Sequence, residues 1–303
     1  MKISGSMAGT NAAPQAHEID ARWLMAYAAA LGETAPEYFD TTRPGGILAH
    51  PLFSVCYEWP SAVELRAKLT SEAVAARSVH ATHDLVIHRP VQAGDRLETT
   101  ATVTVVETRS PGAYVVTRFD TVNERGEPVT TTEYGSIYRG VAVEPHHGLL
   151  PGRSRQPDAT SSLQGKDPSA PLSPEGRGQG EGWSIAVPLP TGLAHIYTEC
   201  AHIWNPIHTD RAVALGAGLP DIILHGTATL AIGVSQVLRR EGADAARRVR
   251  RVACRFTGMV RLPSTITVRG RGDTGGPARR AIAFEVLTED GRPALRDGLV
   301  VIT

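Results

Sequence analysis

The feature that most restricts what this chain can fold into is that its pattern is written twice. Ile19, Trp23, Leu24, Tyr27, Ala28 and Leu31 recur at helical spacing, and a second helical region follows from Leu52 to about Ala76. Four strand-like runs come next, near 84–89, 95–107, 113–123 and 128–139, with turn signals at Gly112 and Arg125-Gly126. Further along, a helical stretch near 193–201 precedes a longer apolar helix from Thr227 to Leu238. Strands near 249–257, 264–271, 279–288 and 294–302 complete the second copy. Helix and then antiparallel strands, twice over, predicts a duplicated α+β fold. The residues agree locally. Gly32–Asp40 lies against His202–Asp210 without a gap, pairing Pro36 with Pro206 and Asp40 with Asp210, and Ile47-Leu48-Ala49-His50 resembles Ile222-Ile223-Leu224-His225.

Between the copies, residues 146–182 are rich in Pro, Gly and Ser and nearly free of β-branched and aromatic side chains. Such a segment has too little apolar surface to offset its ordering entropy, so it is predicted to be a flexible linker. Its glycine run from Gly176 to Gly182 follows no strand and opens no helix, which argues against a phosphate loop. The expected division is therefore 17–145 for the first half, 146–182 for the linker and 183–303 for the second half. Gly5-Ser6 precedes a second methionine, Met7, and Met1–Ser6 is set outside the fold as a cloning scar or an upstream start.

Thirty-one Lys plus Arg balance thirty-one Asp plus Glu, which disfavours nucleic acid and anionic membranes as partners. Cys56, Cys200 and Cys254 are odd in number and far apart, excluding a disulfide scaffold or a CxxC site and fitting a reducing cytoplasm. No eighteen-residue apolar window predicts a membrane span, and Met1–Gln15 lacks the apolar core of a secretory signal.

Tyr197-Thr-Glu-Cys-Ala-His-Ile-Trp-Asn-Pro-Ile-His-Thr-Asp210 is followed by Leu219-Pro-Asp-Ile-Ile-Leu-His-Gly226. These segments resemble the MaoC-like dehydratase family of (R)-specific enoyl-CoA hydratases, whose motif runs Tyr, Ser-Gly-Asp-x-Asn-Pro-Leu-His and later Leu-His-Gly. The resemblance implies a double hot-dog fold, each half an antiparallel sheet wrapped round a long central helix. It implies an acyl-CoA or acyl-carrier thioester as substrate, no cofactor, and a homodimer. It also exposes a departure. The motif Asp, which shares one water with the motif His, is Ile203 here, and the preceding Gly is His202. In the first half Glu33 keeps an acid at the Asp position, but Ala35 and Tyr38 replace the Asn and His, so that half is expected only to shape the pocket.

On this resemblance the catalytic candidates are His208, Asn205 and His202, and the substrate-binding candidates are Gly226, Ile203, Tyr197 and His225. An imidazole accepts a proton near neutral pH, which makes His208 the expected base, against the plainer role of a loop histidine. Asn205 would orient it; an Asn-Pro turn is the plainer account. His202 would carry the second proton, although it lies one residue, about 100° of helix, out of register. Gly226 opens the long helix, whose free N–H groups can hold an enolate oxygen; close packing is the alternative. His225 is expected to be mainly structural. No HExxH or comparable spacing predicts a metal site, and Ser235 lacks the GxSxG elbow of a serine hydrolase. Arg247, Arg248, Arg250, Arg251 and Arg255 are either a solvated strand edge or a phosphate contact. Three functions compete: hydration or dehydration of an acyl thioester, other thioester chemistry such as hydrolysis or a non-hydrolytic elimination, and a non-catalytic acyl-thioester-binding subunit.

Overall fold

The computed structural model describes residues 1–144, 182–276 and 279–303, so the 146–182 linker lies outside the described residues except for Gly182. The first half contains β1 (Lys2–Ser4), β2 (Gln15–Glu18), α1 (Ala21–Ala30), α2 (Ser54–Leu69), α3 (Glu72–Ala75), β3 (Ser78–Ile87), β4 (Arg96–Arg109), β5 (Gly112–Asn123), β6 (Pro128–Arg139) and β7 (Ala142–Glu144). The second contains β8 (Trp183–Leu189), α4 (Leu193–Ala201), α5 (Arg211–Gly216), α6 (Gly226–Glu241), α7 (Ala245–Arg248), β9 (Val249–Phe256), β10 (Ser264–Gly276), β11 (Arg279–Leu287) and β12 (Pro293–Ile302).

One sheet runs through both halves in the order β2-β4-β5-β6-β3-β9-β12-β11-β10-β8. Read outward from its centre, the order is the same in either direction, strand for strand. The seam is the antiparallel pair β3–β9, with Thr82 opposite Arg255 and Val86 opposite Arg251. Each half has a fifth strand, β2 or β8, that the four-strand reading missed. The region from Leu52 to Ala76 is also two helices, because Thr70 takes an extended conformation at the end of α2. Residues set outside the fold belong to it: β1 pairs parallel with β7, and Ile3 and Met7 are buried against the first half's core.

Each central helix is placed by what it buries. From Thr227 to Leu238 every residue of α6 is buried, so the helix has no solvent face along this stretch. Side chains such as Leu230, Val234 and Val237 each contribute roughly 1.5–3 kcal/mol by leaving water. Gly233 is required by this packing, since a Cβ there would lie 2.9 Å from the Phe284 ring. The helix α2 is less uniformly apolar: Ser54, Glu58 and Ser61 are buried along with Val55, Cys56, Tyr57 and Leu65. The shorter helices α1 and α4 meet across the pseudo-twofold axis. There the Tyr27 and Tyr197 hydroxyls lie 3.4 Å apart and Trp23 Nε1 donates to the Cys200 carbonyl at 3.1 Å.

Candidate active site

After α4 the chain makes a sharp turn, with His202 in the left-handed region at φ 57°, and enters a 3-10 turn from Pro206 to His208. Asn205 caps that turn, its Oδ1 accepting from Ile207 N at 3.4 Å. The turn delivers His208 into a pocket of about 210 Å³ lined by both halves of the chain. His208 Nδ1 lies 2.7 Å from the Ile223 carbonyl oxygen. A carbonyl only accepts, so Nδ1 carries the proton and donates it, and Nε2 keeps a lone pair for chemistry. Burial pulls the imidazole down to about 4, opposed by the Ile223 hydrogen bond, so it is neutral at physiological pH. Its ring stacks on His225 at 3.7 Å. Burial, with His208 as neighbour, holds His225 well below the usual histidine range.

Beside this pair α6 begins. Gly226 and Thr227 line the pocket, and His225 supplies no side-chain cap to the helix start. The N–H groups of a first helical turn lack intrahelical partners and carry partial positive charge. A carbonyl oxygen placed there can be polarised. A Cβ on Gly226 would sit 3.0 Å from the Phe256 ring, so the glycine lets helix and strand close up here.

His208, Asn205, Ile203, Gly226 and His225 are thus brought together, while two other candidates are not. His202 is exposed, and its ring is stacked between Trp23 at 4.6 Å and Trp204 at 5.4 Å, outside the pocket lining. The left-handed turn places its side chain outside the pocket. Tyr197 is fully buried behind His225 with its hydroxyl donating to Thr227 Oγ1 at 3.1 Å, so it supports the helix start and does not line the pocket. Glu33 also lies away from it, held by Arg239 at 3.3 Å.

Four of the five arginines in the cluster are spent on structure. Arg251 Nε donates to Asp84 at 2.8 Å, Arg255 pairs with Asp297 at 3.3 Å, and Arg248 and Arg250 donate to backbone carbonyls. The cations that do line the pocket are Arg66 and Arg139, which the sequence did not single out. Glu58, Tyr134 and His80 join them from the first half. Among the described residues no group of three or more His, Cys, Asp or Glu is placed to hold a metal ion.

Comparison with known proteins agrees with this fold. Residues 184–287 match the MaoC like domain, and residues 6–132 match the FAS1-like, dehydratase domain region. A UPF0336 protein of Saccharopolyspora erythraea is 26% identical over 151 residues, covering 48% of this chain and 97% of that protein. The crystal structure of a MaoC-like dehydratase from Phytophthora capsici superposes with a TM-score of 0.76 at 19% identity, covering 99% of this chain and 97% of that one. A conserved hypothetical protein of Mycobacterium tuberculosis with a double hot-dog fold gives 0.65 at 16% identity, covering 97% and 96%. The chain therefore has the double hot-dog fold, with a second half similar to the MaoC like domain and a first half similar to the FAS1-like dehydratase region.

Proposed function

We propose that the protein catalyses the reversible hydration of 2-enoyl thioesters, and so the dehydration of 3-hydroxyacyl thioesters, as a hydro-lyase of the MaoC-like type. The observation that carries this reading is the state of His208: Nδ1 is engaged by the Ile223 carbonyl, which leaves Nε2 as a base in a pocket that also holds the uncapped start of α6. In hydration, Nε2 takes a proton from water as its oxygen bonds the β-carbon. The first-turn N–H groups at Gly226 hold the enolate oxygen that develops on the thioester. Asn205 keeps the 3-10 turn in shape. Ile203 presents an apolar wall where the family motif has its acid, so this loop alone supplies one proton-carrying group. Arg66 and Arg139 offer positive charge to the phosphates of coenzyme A or of a carrier's pantetheine arm.

The first half's own turn, with Glu33 and Tyr38, lies outside this pocket, and that half contributes one of its walls. Because both halves of one chain line it, a homodimer would not be needed to complete it. Three free cysteines support a reducing compartment, read here as the cytoplasm. No helix among the described residues is long and apolar enough to cross a membrane.

The experiment is to mix the purified protein with crotonyl-CoA and follow loss of the conjugated thioester. Loss without release of free thiol is the expected result. Thiol release would mean hydrolysis instead, and saturable binding without turnover would mean an acyl-thioester-binding subunit.

A further inference from the structure

The pocket contains one carboxyl group among its described lining residues, and it comes from the other half of the chain. On α2, Val55, Glu58, Trp59, Ala62 and Arg66 follow a helical spacing and line the same pocket as Ile203, His208 and Gly226. Glu58 is 3% exposed. Thr132 Oγ1 donates to its Oε1 at 2.5 Å, and the Ser54 hydroxyl is the second polar group beside the carboxyl. A buried carboxyl held by two hydroxyls, with no ion-pair partner among the described residues, is a costly residue to keep in a central helix, which points to use.

We propose that Glu58 is the second proton carrier of this site, giving the substrate α-carbon the proton that the Ile203 position cannot supply. The proposal rests on the hydratase reading above. His208 Nε2 takes one proton of the water while the water oxygen bonds the β-carbon. The double-bond electrons move through the α-carbon onto the thioester oxygen as an enolate, which the N–H groups at Gly226 hold. The enolate then collapses onto the α-carbon, which takes the proton of the Glu58 carboxylic acid. His208 is left as imidazolium and Glu58 as carboxylate, and solvent returns a proton from one to the other. Dehydration is the same sequence reversed.

The surroundings put Glu58 in the protonation state this needs. Burial raises its carboxyl to about 7, opposed by hydrogen bonds from Thr132 and Ser54. The titratable side chains around it, Tyr27, Cys56, Tyr57 and Tyr134, are themselves pushed upward by burial and stay neutral. His80, on the same pocket wall, is held well below the usual range by burial, and its ring stacks on Tyr134 at 3.5 Å. Glu58 is thus the pocket group with a proton to give at neutral pH, and His208 the neutral base.

The test is Glu58→Gln in the full chain, assayed with crotonyl-CoA from pH 5 to 9 beside the wild type. Loss of one acid–base group lowers kcat by about 10²–10⁴. The expected result is a fall in that range with KM changed by less than about threefold, together with loss of the decline in rate that the wild type shows above a pH of about 7. Thr132→Val gives a second readout that a merely structural carboxyl would not produce. Removing a hydrogen bond that favours the carboxylate should move that decline to higher pH. If Glu58→Gln does not fold, the Thr132→Val shift decides alone. A Glu58→Gln protein with near wild-type kcat and an unchanged pH profile, or an unmoved decline in Thr132→Val, overturns the assignment while the hydratase reading stands. A wild type that turns over no enoyl thioester overturns the hydratase reading itself, and the assignment with it.

Discussion

The two halves hold the same backbone turn and use it in opposite ways. In the second half the turn carries Ile203 and His208 and faces an open pocket. In the first half it carries Glu33 and Tyr38, and the far end of α6 closes over it. Arg239 donates to the Gly32 carbonyl at 2.8 Å and pairs with Glu33, while Ser235 meets His50 Nε2 at 3.2 Å. The histidines differ in the same sense. His50 Nδ1 accepts from Leu52 N at 3.2 Å, so Nε2 carries the proton and gives it to Ser235, and both nitrogens are spent. His208, whose counterpart in the first half is Tyr38 and not His50, is the opposite tautomer and keeps Nε2 free. Neither turn retains both an acid and a base: the first kept the carboxyl, the second the imidazole. Duplication here preserved the scaffold twice while letting one copy turn its site into an inter-half contact.

The sharpest way to break this comparison is to remove the corresponding side chains in each half. His208→Ala should lower kcat/KM for crotonyl-CoA by about 10²–10⁴. Tyr38→Phe, at the matching position of the closed site, should stay within about twofold, because Tyr38 touches no part of the pocket. Equal losses in steady-state assays of the two variants would erase the distinction between an open and a closed half.

A smaller effect is common to both halves. His50 and His208 are each held down to about 4, mainly by burial. Their folded pKa lies below the unfolded value of about 6.5, so each contributes stability that is present above pH ~6.5 and is lost as pH falls through ~4. The loss is on the order of 3 kcal/mol for each. Urea unfolding midpoints should therefore fall between pH 6.5 and 4, and a folded His50→Gln protein should show a shallower fall. A midpoint independent of pH over that range in the wild type would mean that these rings stay solvated.

Much of this architecture was legible in the sequence because its periods are local. The long strands and both central helices follow from alternation and helical spacing, and His208, Ile203 and Gly226 from one short motif pair. The fifth strand of the second half was legible too: Trp183, Ile185, Val187 and Leu189 alternate with exposed residues. What could not be read is whatever distant segments create between them. The charges of Arg251 and Arg255 look free until β3 and β12 bring Asp84 and Asp297 alongside. Glu58 looks like any acid on a helix until folding sets it across a pocket from a loop about 150 residues away. Its placement inside Val55-Cys56-Tyr57-Glu58-Trp59 was the available signal, since an acid in an apolar run of a central helix has few solvated faces.

Two glycines of α6 separate packing from chemistry along a single helix. Gly233→Ala would bring a Cβ to 2.9 Å from the Phe284 ring and 3.1 Å from Val286. Overpacking costs roughly 1–3 kcal/mol, against a helix-propensity gain of up to about 1 kcal/mol. A modest loss in melting temperature with little change in turnover is expected. Gly226→Ala meets the Phe256 ring at 3.0 Å beside the pocket, so a similar stability cost should come with a fall in kcat of about tenfold as the helix start shifts. Identical turnover in the two variants would argue against substrate contact at Gly226.

The smallest expected effect concerns the position where the halves differ by a single conformational demand. Gly32 and His202 occupy matching places, and both are left-handed, at φ 70° and φ 57°. Glycine takes this conformation freely, whereas an L-residue with a Cβ is disfavoured there by about 1–2 kcal/mol. Nothing lies within 4 Å of a Cβ built on Gly32, so Gly32→Ala isolates the conformational cost and should destabilise by about 1 kcal/mol. His202→Gly removes the same cost but also the stack between Trp23 and Trp204, a contact of about 0.5–1.5 kcal/mol. The two changes nearly cancel, so its melting temperature should hardly move. Its turnover should match the wild type, because the ring lies outside the pocket. A His202→Gly protein with normal stability and strongly reduced hydration would return His202 to the chemistry and make Glu58 the weaker candidate for the second proton.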